Sequence, residues 1–265
     1  MSDTQRNSVS VDDVATDVST SRRRPAAVAS DQLRRHRDRP IAVVRPGTVP
    51  YLDAWDLQRQ VVARHQDGGG GDVLFLLEHP PVYTLGRRAD RANLLWDAGK
   101  LERRGIEVVD VDRGGDITYH GPGQLVGYPI LRLASLRTVV DYVRSLEDVL
   151  IRTAATFRVT ARRIPGLTGV WVGDAKLAAI GVRVASGGIT SHGFALNVTT
   201  RLDDFDGIVP CGIADHGVCS LADLGVTTTV DEVADRVTTA VSQVFGATLE
   251  WTTLDALGLQ RKVSS

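Results

Sequence analysis

The sequence contains few of the residues that crosslink proteins or anchor them in membranes. Its 265 residues include two cysteines and one methionine, and only three of its 31 basic residues are lysine. Two cysteines are too few for the disulfide framework of a small secreted protein. No run of 18 apolar residues occurs, so the sequence predicts no membrane-spanning helix. These absences favour a soluble, cytoplasmic protein.

The charge of the chain is nearly balanced. Lysine and arginine together number 31, aspartate and glutamate 32, and the formal net charge is −1. This excludes a nucleic-acid-binding protein that relies on a strongly basic surface. With 43% apolar and 24% charged residues, the composition is typical of a globular protein, and the length allows one large domain or two small ones.

Residues 1–39 differ in composition from the remainder. They contain no aromatic residue, since the first in the chain is Tyr51, and they are rich in arginine, aspartate and serine. Such a segment cannot bury enough apolar surface to offset its ordering entropy, so we expect a disordered N-terminal extension. The arginines at 22–24 precede no long apolar segment, which disfavours a secretory signal.

Strand-like and helix-like apolar patterns are interspersed irregularly after residue 40. Strands are predicted at 41–45, 73–77, 107–112, 170–172, 176–184 and 193–198, and helices at 50–65, at 94–104 and directly after Thr138 and Thr229. Because the two element types do not alternate regularly and many turns have hairpin length, we predict an α+β fold with a mixed or largely antiparallel sheet and packed helices.

The segment RGGDITYHGPGQ, residues 113–124, is the most unusual in the chain. Its glycines and proline let a backbone approach a ligand closely, while Arg113, Thr118, Tyr119 and His120 supply polar contacts. A β-hairpin with glycine turns and a surface histidine explains the same pattern. The spacing of the glycines does not match a dinucleotide-binding motif.

Lys176 begins a strand with apolar residues on both faces. Strand alternation places Lys176 on one face with Ala178 and Ile180, and Leu177 and Ala179 on the other. A lysine with so little solvent on either side needs a charge partner or has a functional role. The alternative is a lysine at the mouth of the strand whose ammonium reaches out to water.

Cys211 stands between a proline and a glycine, a constrained turn that suits an exposed nucleophile, whereas the context of Cys219 suggests a buried filler. Three alternatives remain open. Cys211, His216 and Cys219 are candidate zinc ligands, but their spacing matches no common site. A disulfide is disfavoured in a reducing compartment. A cysteine hydrolase would use His120, His192 or His216 as its base.

A lysine is sufficient to activate a cysteine without a histidine. A free thiol with a pKa of ~8.5 is only a few per cent ionised at pH 7. An ammonium about 4 Å away stabilises the thiolate by up to ~4 kcal/mol at an effective dielectric constant near 20. Pairing of Lys176 with Cys211 is therefore a hypothesis that the sequence permits.

The other histidines have less specific surroundings. His79 precedes two prolines, and His192 lies in an apolar segment. Each is a candidate for lining a pocket, although a lone histidine more often forms hydrogen bonds to nearby backbone. We expect His36 and His65 to be solvated.

Taken together, five segments resemble the octanoyltransferase family, also called lipoate-protein ligase B. They are LEHPPVYTLG (77–86), RGGDITYHGPGQLVGYP (113–129), KLAAIG (176–181), HGFALN (192–197) and PCGI (210–213). The resemblance extends in order over about residues 41–245. It implies a catalytic domain at 40–250, a C-terminal tail at 251–265, and the α+β fold shared by biotin and lipoate protein ligases.

The resemblance also implies a reaction and its residues. An octanoyl group would pass from the phosphopantetheine arm of acyl carrier protein to Cys211 as a thioester, and then to a lysine of a lipoyl domain. Lys176 would lower the pKa of Cys211 and act as general acid and base. The pocket would be lined by Arg113, Gly114, Gly115, Asp116, Ile117, Thr118, Tyr119, His120, Ala179, Ile180, Gly181, His192, Gly193 and Phe194, with His79 as a further candidate.

The partners implied are octanoyl-acyl carrier protein and the lipoyl domains of 2-oxoacid dehydrogenase complexes and of the glycine cleavage H protein. No metal, no cofactor of the enzyme's own, no nucleic acid and no membrane is expected, and the chain is expected to be a monomer. Transfer between thioesters is nearly balanced in free energy, so no ATP is needed.

Overall fold

The computed structural model describes residues 40–133, 139–210 and 216–261. The candidate nucleophile Cys211 and the predicted helix cap Thr138 lie outside the described residues. In the described part of the chain, no helix is both long enough and apolar enough to cross a membrane.

Within the described residues the strands form two sheets. The strands are β1 (Ile41–Thr48), β2 (Val73–Glu78), β3 (Val82–Leu85), β4 (Glu107–Asp110), β5 (Ile117–His120), β6 (Gln124–Ile130), β7 (Arg162–Ile164), β8 (Leu167–Val172), β9 (Ala175–Ala185), β10 (Ile189–Asn197) and β11 (Leu249–Trp251). The helices are α1 (Tyr51–Gln66), α2 (Ala98–Arg104), α3 (Val139–Thr156) and α4 (Val230–Phe245), with short 3₁₀ helices at Arg91–Asn93 and Leu202–Gly207.

The large sheet is mixed. Its eight strands have the order β11-β1-β2-β6-β10-β9-β8-β7, in which β1 is parallel to both β11 and β2 and all other neighbours are antiparallel. The small sheet has the order β4-β3-β5, with β3 parallel to β4 and antiparallel to β5. The predicted α+β class with a mixed, largely antiparallel sheet is confirmed.

Two apolar cores lie on opposite faces of the large sheet. On β2, Leu74 and Leu76 belong to the core that contains α3 and α4, whereas Phe75 and Leu77 belong to the core that contains α1. The continuous apolar run of β2 is therefore buried on both faces. Thr229 caps α4 as predicted, because its hydroxyl accepts a hydrogen bond from the amide of Glu232 at 3.2 Å.

Two expectations about the edges of the domain are wrong. His65, expected in solvent, is 2% exposed, and its Nε2 lies 3.5 Å from a carboxylate oxygen of Asp72. The packed chain also continues past the expected boundary at residue 250. Leu259 is buried in the core that contains α1, and the carbonyl of Gly258 accepts a hydrogen bond from Arg64 at 2.6 Å.

Candidate active site

A cavity is bounded by β9 and β10 of the large sheet and β5 of the small sheet. Its lining residues are Tyr51, Arg113, Gly114, Gly115, Asp116, Thr118, His120, Tyr128, Ala179, Ile180, Gly181, His192, Gly193, Phe194 and Ala195. All except Tyr51, Tyr128 and Ala195 are residues that the family resemblance assigned to the pocket. Three distant segments of the sequence thus meet at one cavity.

Two residues of the predicted pocket face away from it. Ile117 and Tyr119 are fully buried in a separate apolar cluster with Tyr83 and Phe205, and the hydroxyl of Tyr119 donates to a carboxylate oxygen of Asp204 at 3.0 Å. Alternate side chains of a strand point to opposite faces. A continuous segment such as 113–120 therefore overstates the lining, and Ile117 and Tyr119 are corrected to core residues.

A smaller cavity adjoins this pocket and reaches Lys176. It shares Thr118, Ala179 and Ala195 with the larger cavity, and it adds Lys176 and Pro210 to the lining. Pro210 is the last described residue before Cys211. The two cavities are therefore neighbours that share a wall, and Lys176 lines the smaller one.

Lys176 is held in a defined position. It is 6% exposed, and its Nζ lies 4.8 Å from the centre of the Trp171 ring, a favourable cation–π distance. Its amide donates to the carbonyl of Gly217 at 2.9 Å, and its carbonyl accepts from the amide of Cys219 at 3.1 Å. The described residues on both sides of segment 211–215 thus contact Lys176 or line its cavity.

A β-bulge changes which residues share a face with Lys176. On β8, Trp171 pairs with Lys176 but Val170 pairs with Ala178, so Leu177 is an extra residue on β9. Leu177 and Ala178 both pack into the apolar core, whereas Lys176 and Ala179 both line the small cavity. The predicted alternation is wrong here, because a bulge shifts the side-chain period by one residue.

Arg113 and His120 belong to a buried polar network along the wall of the pocket. Arg113 donates to the hydroxyl of Thr84 at 2.8 Å and to its carbonyl at 2.6 Å. His120 Nδ1 lies 2.7 Å from Gln124 Oε1, and Gln124 donates to Asn197 Oδ1 at 2.9 Å. Burial, the largest cause, and the neighbouring His79 hold the pKa of His120 well below its usual value. This wall offers neutral imidazole and a fixed guanidinium.

His192 lies in the pocket and is strained. It adopts a left-handed backbone conformation with φ of 56°, which a non-glycine residue seldom takes. Its Nε2 is 2.8 Å from a carboxylate oxygen of Asp112, and its Nδ1 is 3.3 Å from the hydroxyl of Tyr51. Burial outweighs the carboxylate and lowers the pKa of His192.

His79 lies behind the pocket instead of lining it. It is fully buried, its Nδ1 donates to the carbonyl of Val49 at 2.6 Å, and its Nε2 accepts from the hydroxyl of Tyr128 at 2.7 Å. This hydrogen-bond pattern requires the neutral imidazole, and burial lowers the pKa of His79 to about 4. His79 therefore positions Tyr128, which does line the cavity.

Acidification is expected to destabilise the protein through His79. Below pH 6.5 the unfolded chain protonates this histidine but the folded chain does not, so stability falls from about pH 6.5 down to about pH 4, by up to about 3 kcal/mol. Urea unfolding at several pH values measures this loss. His79→Gln should reduce the pH dependence, whereas His216→Gln, at a half-exposed position, should not. An unchanged pH dependence in His79→Gln would contradict the argument.

Cys219 has the properties of a structural cysteine. It is buried, and burial, together with nearby Asp223, raises its thiol pKa to about 11. His216 contacts the backbone of Asp174 at 3.2 Å. Among residues 40–133, 139–210 and 216–261, no group of three histidine, cysteine or acidic side chains is placed to hold a metal ion.

Comparisons with known proteins agree on a family. Residues 50–242 match the lipoyl protein ligase A/B catalytic domain. The chain is 49% identical over 203 residues to the octanoyltransferase of Chloroflexus aurantiacus, which covers 75% of this chain and 91% of that protein. It is 55% identical over 177 residues to the octanoyltransferase of Rubrobacter xylanophilus, and this match covers 66% of this chain and 80% of that protein.

Solved structures agree on the fold. The bipartite lipoate protein ligase of Thermoplasma acidophilum superposes with a TM-score of 0.68 at 17% identity, covering 81% of this chain and 87% of that one. A lipoate-protein ligase A bound with ATP superposes with a TM-score of 0.68 at 16% identity, covering 81% of this chain and 89% of that one. The predicted lipoate ligase fold is confirmed. The chain belongs to the octanoyltransferase family, a group of acyltransferases with the lipoyl protein ligase A/B catalytic domain.

Proposed function

We propose that this enzyme transfers an octanoyl group from acyl carrier protein to a lysine of lipoyl domains through a thioester on Cys211. The observation that carries the proposal is that an apolar pocket shares a wall with a small cavity lined by Lys176 and by Pro210, the neighbour of Cys211. The octanoyltransferase relatives support the acyl group. The acceptors proposed are the lipoyl domains of 2-oxoacid dehydrogenases and the glycine cleavage H protein.

The larger cavity is proposed to hold the acyl chain. Ala179, Phe194 and Ala195 give it an apolar wall, and each buried methylene contributes ~0.8 kcal/mol to binding. Ala179 and Ala195 also line the cavity at Lys176, so a chain held between them has its carbonyl end near the lysine. Binding of the chain and placement of the thioester are then one event.

Lys176 is proposed to move the protons of both half-reactions. The Cys211 thiolate attacks the donor thioester, and the departing phosphopantetheine sulfur takes a proton from the Lys176 ammonium. In the second half-reaction the acceptor amine attacks the acyl-enzyme, the neutral Lys176 amine takes its proton, and the Cys211 thiolate leaves. The lysine and cysteine return to their starting charges, so no cofactor of the enzyme's own is required.

Intact-protein mass spectrometry after mixing with octanoyl-acyl carrier protein tests the proposal. We expect one octanoyl adduct, on Cys211 and not on Cys219, because the buried Cys219 has a raised pKa and its thiolate is scarce. Addition of a lipoyl domain should remove the adduct and acylate the domain.

Cys211→Ala provides the matched control and should form no adduct, whereas Cys219→Ala should form it normally. An unmodified wild-type enzyme that joins free octanoate to the lipoyl domain only with ATP would instead indicate a ligase. Release of free octanoate without an acceptor would indicate a hydrolase.

A further inference from the structure

A second groove reaches Lys176 from outside. It is open to solvent. It shares the backbone of Gly114 and Gly115 with the acyl cavity, and Lys176 lies in its lining. Because the acyl chain is assigned to the first cavity, this groove is where the remainder of a thioester donor has room.

The side chain of Arg88 lies on this groove. Its amide donates to the carbonyl of Gly115 at 3.2 Å, which fixes the residue beside the shared glycines. The side chain is exposed and makes no hydrogen bond or ion pair with any residue the structure describes. Nearby Arg91, in contrast, is paired with Asp110 at 2.7 Å.

Asp116 is the one acidic residue among the described residues that line this groove. The carboxylate of Asp116 accepts hydrogen bonds from the amides of Asp90 and Ile117 and from the side chain of Asn93, at 2.5 to 3.1 Å. Its oxygens are thus occupied by the segment at 90–93. The groove is left with two basic side chains, Lys176 and Arg88.

We propose that Arg88 binds the phosphate of the phosphopantetheine arm. This arm carries its reactive thioester at one end and its phosphate at the other, and between them it is neutral. The groove has both groups in its lining: Lys176, the proposed acid–base group, and Arg88, whose guanidinium is unpaired among the described residues. A guanidinium binds phosphate oxygens with two parallel hydrogen bonds. The inference rests on the proposed function.

Two small donors that differ only in the phosphate test this role. Acylation of Cys211 is followed with octanoyl-phosphopantetheine and with octanoyl-pantetheine, and kcat/KM is compared within each variant. We expect the wild type to have a higher kcat/KM with the phosphorylated donor than with the other. In Arg88→Gln this ratio of kcat/KM values should fall about tenfold, the effect of losing a charged hydrogen bond. Arg87→Gln is the matched control, because Arg87 is also exposed but does not line the groove, and it should keep the preference.

The outcomes separate this inference from the proposed function. If the wild type shows no preference, or if Arg88→Gln keeps it, Arg88 does not bind the phosphate. If Arg88→Gln impairs transfer from octanoyl-acyl carrier protein but keeps its preference between the small donors, the arginine contacts the carrier protein, and the inference is overturned. If wild-type Cys211 accepts an acyl group from none of these donors, the proposed function itself fails.

Discussion

Lys176→Ala is expected to slow acylation of Cys211 by about 10²- to 10⁴-fold, the usual contribution of a positioned acid–base group. In the wild type, Lys176 is 6% exposed, so the proposed action of its charge on the Cys211 thiol is screened less than it would be in bulk water. Removing the ammonium leaves that thiol protonated at neutral pH and leaves the departing sulfur without a proton donor.

The pH profile of alkylation distinguishes this role from a structural one. In Lys176→Ala the apparent pKa of the Cys211 thiol should rise, whereas a lysine that only supports packing would leave it unchanged. Both enzymes, with Lys176 and with Lys176→Ala, also carry Cys219→Ala in this experiment, so that Cys211 is the one thiol that is alkylated. Loss of transfer with an unchanged alkylation profile would contradict the proposed role in thiol activation.

Lys100 provides a matched control for this experiment. Its Nζ lies 4.1 Å from the centre of the Trp96 ring, a contact like that of Lys176 with Trp171, but Lys100 is exposed and lines neither cavity at the candidate site. Lys100→Ala therefore removes a lysine with a similar aromatic contact. We expect it to keep both the rate of transfer and the alkylation profile of the wild type.

The sequence predicted the class of the fold because it depends on local patterns. β2 is an uninterrupted apolar run, and Thr229 precedes a helix with an apolar face, so both elements were predictable from periodicity and capping. The glycine-rich composition marked residues 113–124 as a candidate binding segment, but the set of pocket residues came from the family resemblance. These signals each lie within a few consecutive residues.

What the sequence did not reveal depends on contacts between distant segments. Tyr51 and Tyr128 line the pocket, but Tyr51 lies outside the five family segments, and Tyr128 was not singled out within segment 113–129. The burial of His65 depends on packing across to Asp72, at the start of the next strand. Such residues are assigned only when the packing of helix and sheets is known.

The bulge at Leu177 shows why the surroundings of Lys176 were predicted wrongly. Alternation assumes one residue per position along the strand, and the pairing of Lys176 with Trp171 and of Ala178 with Val170 breaks that assumption. Gly169, opposite the bulge, has a φ of 126°, and a Cβ there would lie 2.7 Å from the carbonyl of Ala178. A small residue on β8 thus makes room for the bulge on β9, a relation between strands that periodicity cannot express.

Gly193→Ala is expected to destabilise the protein by about 3 kcal/mol, at the upper end of the cost of overpacking a core. A Cβ at Gly193 would lie 2.1 Å from the carbonyl oxygen of Gly127 and 2.7 Å from the ring of Pro129. Both obstacles belong to β6, whose backbone is paired with β10, so neither can move without breaking the ladder between two central strands. A large fall in the urea midpoint measures this cost.

Gly127→Ala places a methyl group at the same strand pair but against a side chain. Its Cβ would lie 2.1 Å from the ring of Phe194, which lines the acyl cavity. The ring can move where a backbone carbonyl cannot, so we expect a smaller loss of stability and a ring displaced into the space assigned to the acyl chain. Transfer of octanoyl should weaken more than transfer of a shorter acyl group. Gly71→Ala, with no atom within 4 Å of the added methyl, should change neither property.

The pair of variants tests where the acyl chain lies. If Gly127→Ala transfers octanoyl and shorter chains in the wild-type ratio while its stability falls, the ring of Phe194 does not border the bound chain. If Gly193→Ala has the urea midpoint of the wild type, β6 and β10 can shift enough to accommodate the added methyl group, and the predicted clash does not occur. The expected result, a loss of stability at 193 and a change of chain preference at 127, follows from the single difference between a backbone and a side-chain neighbour.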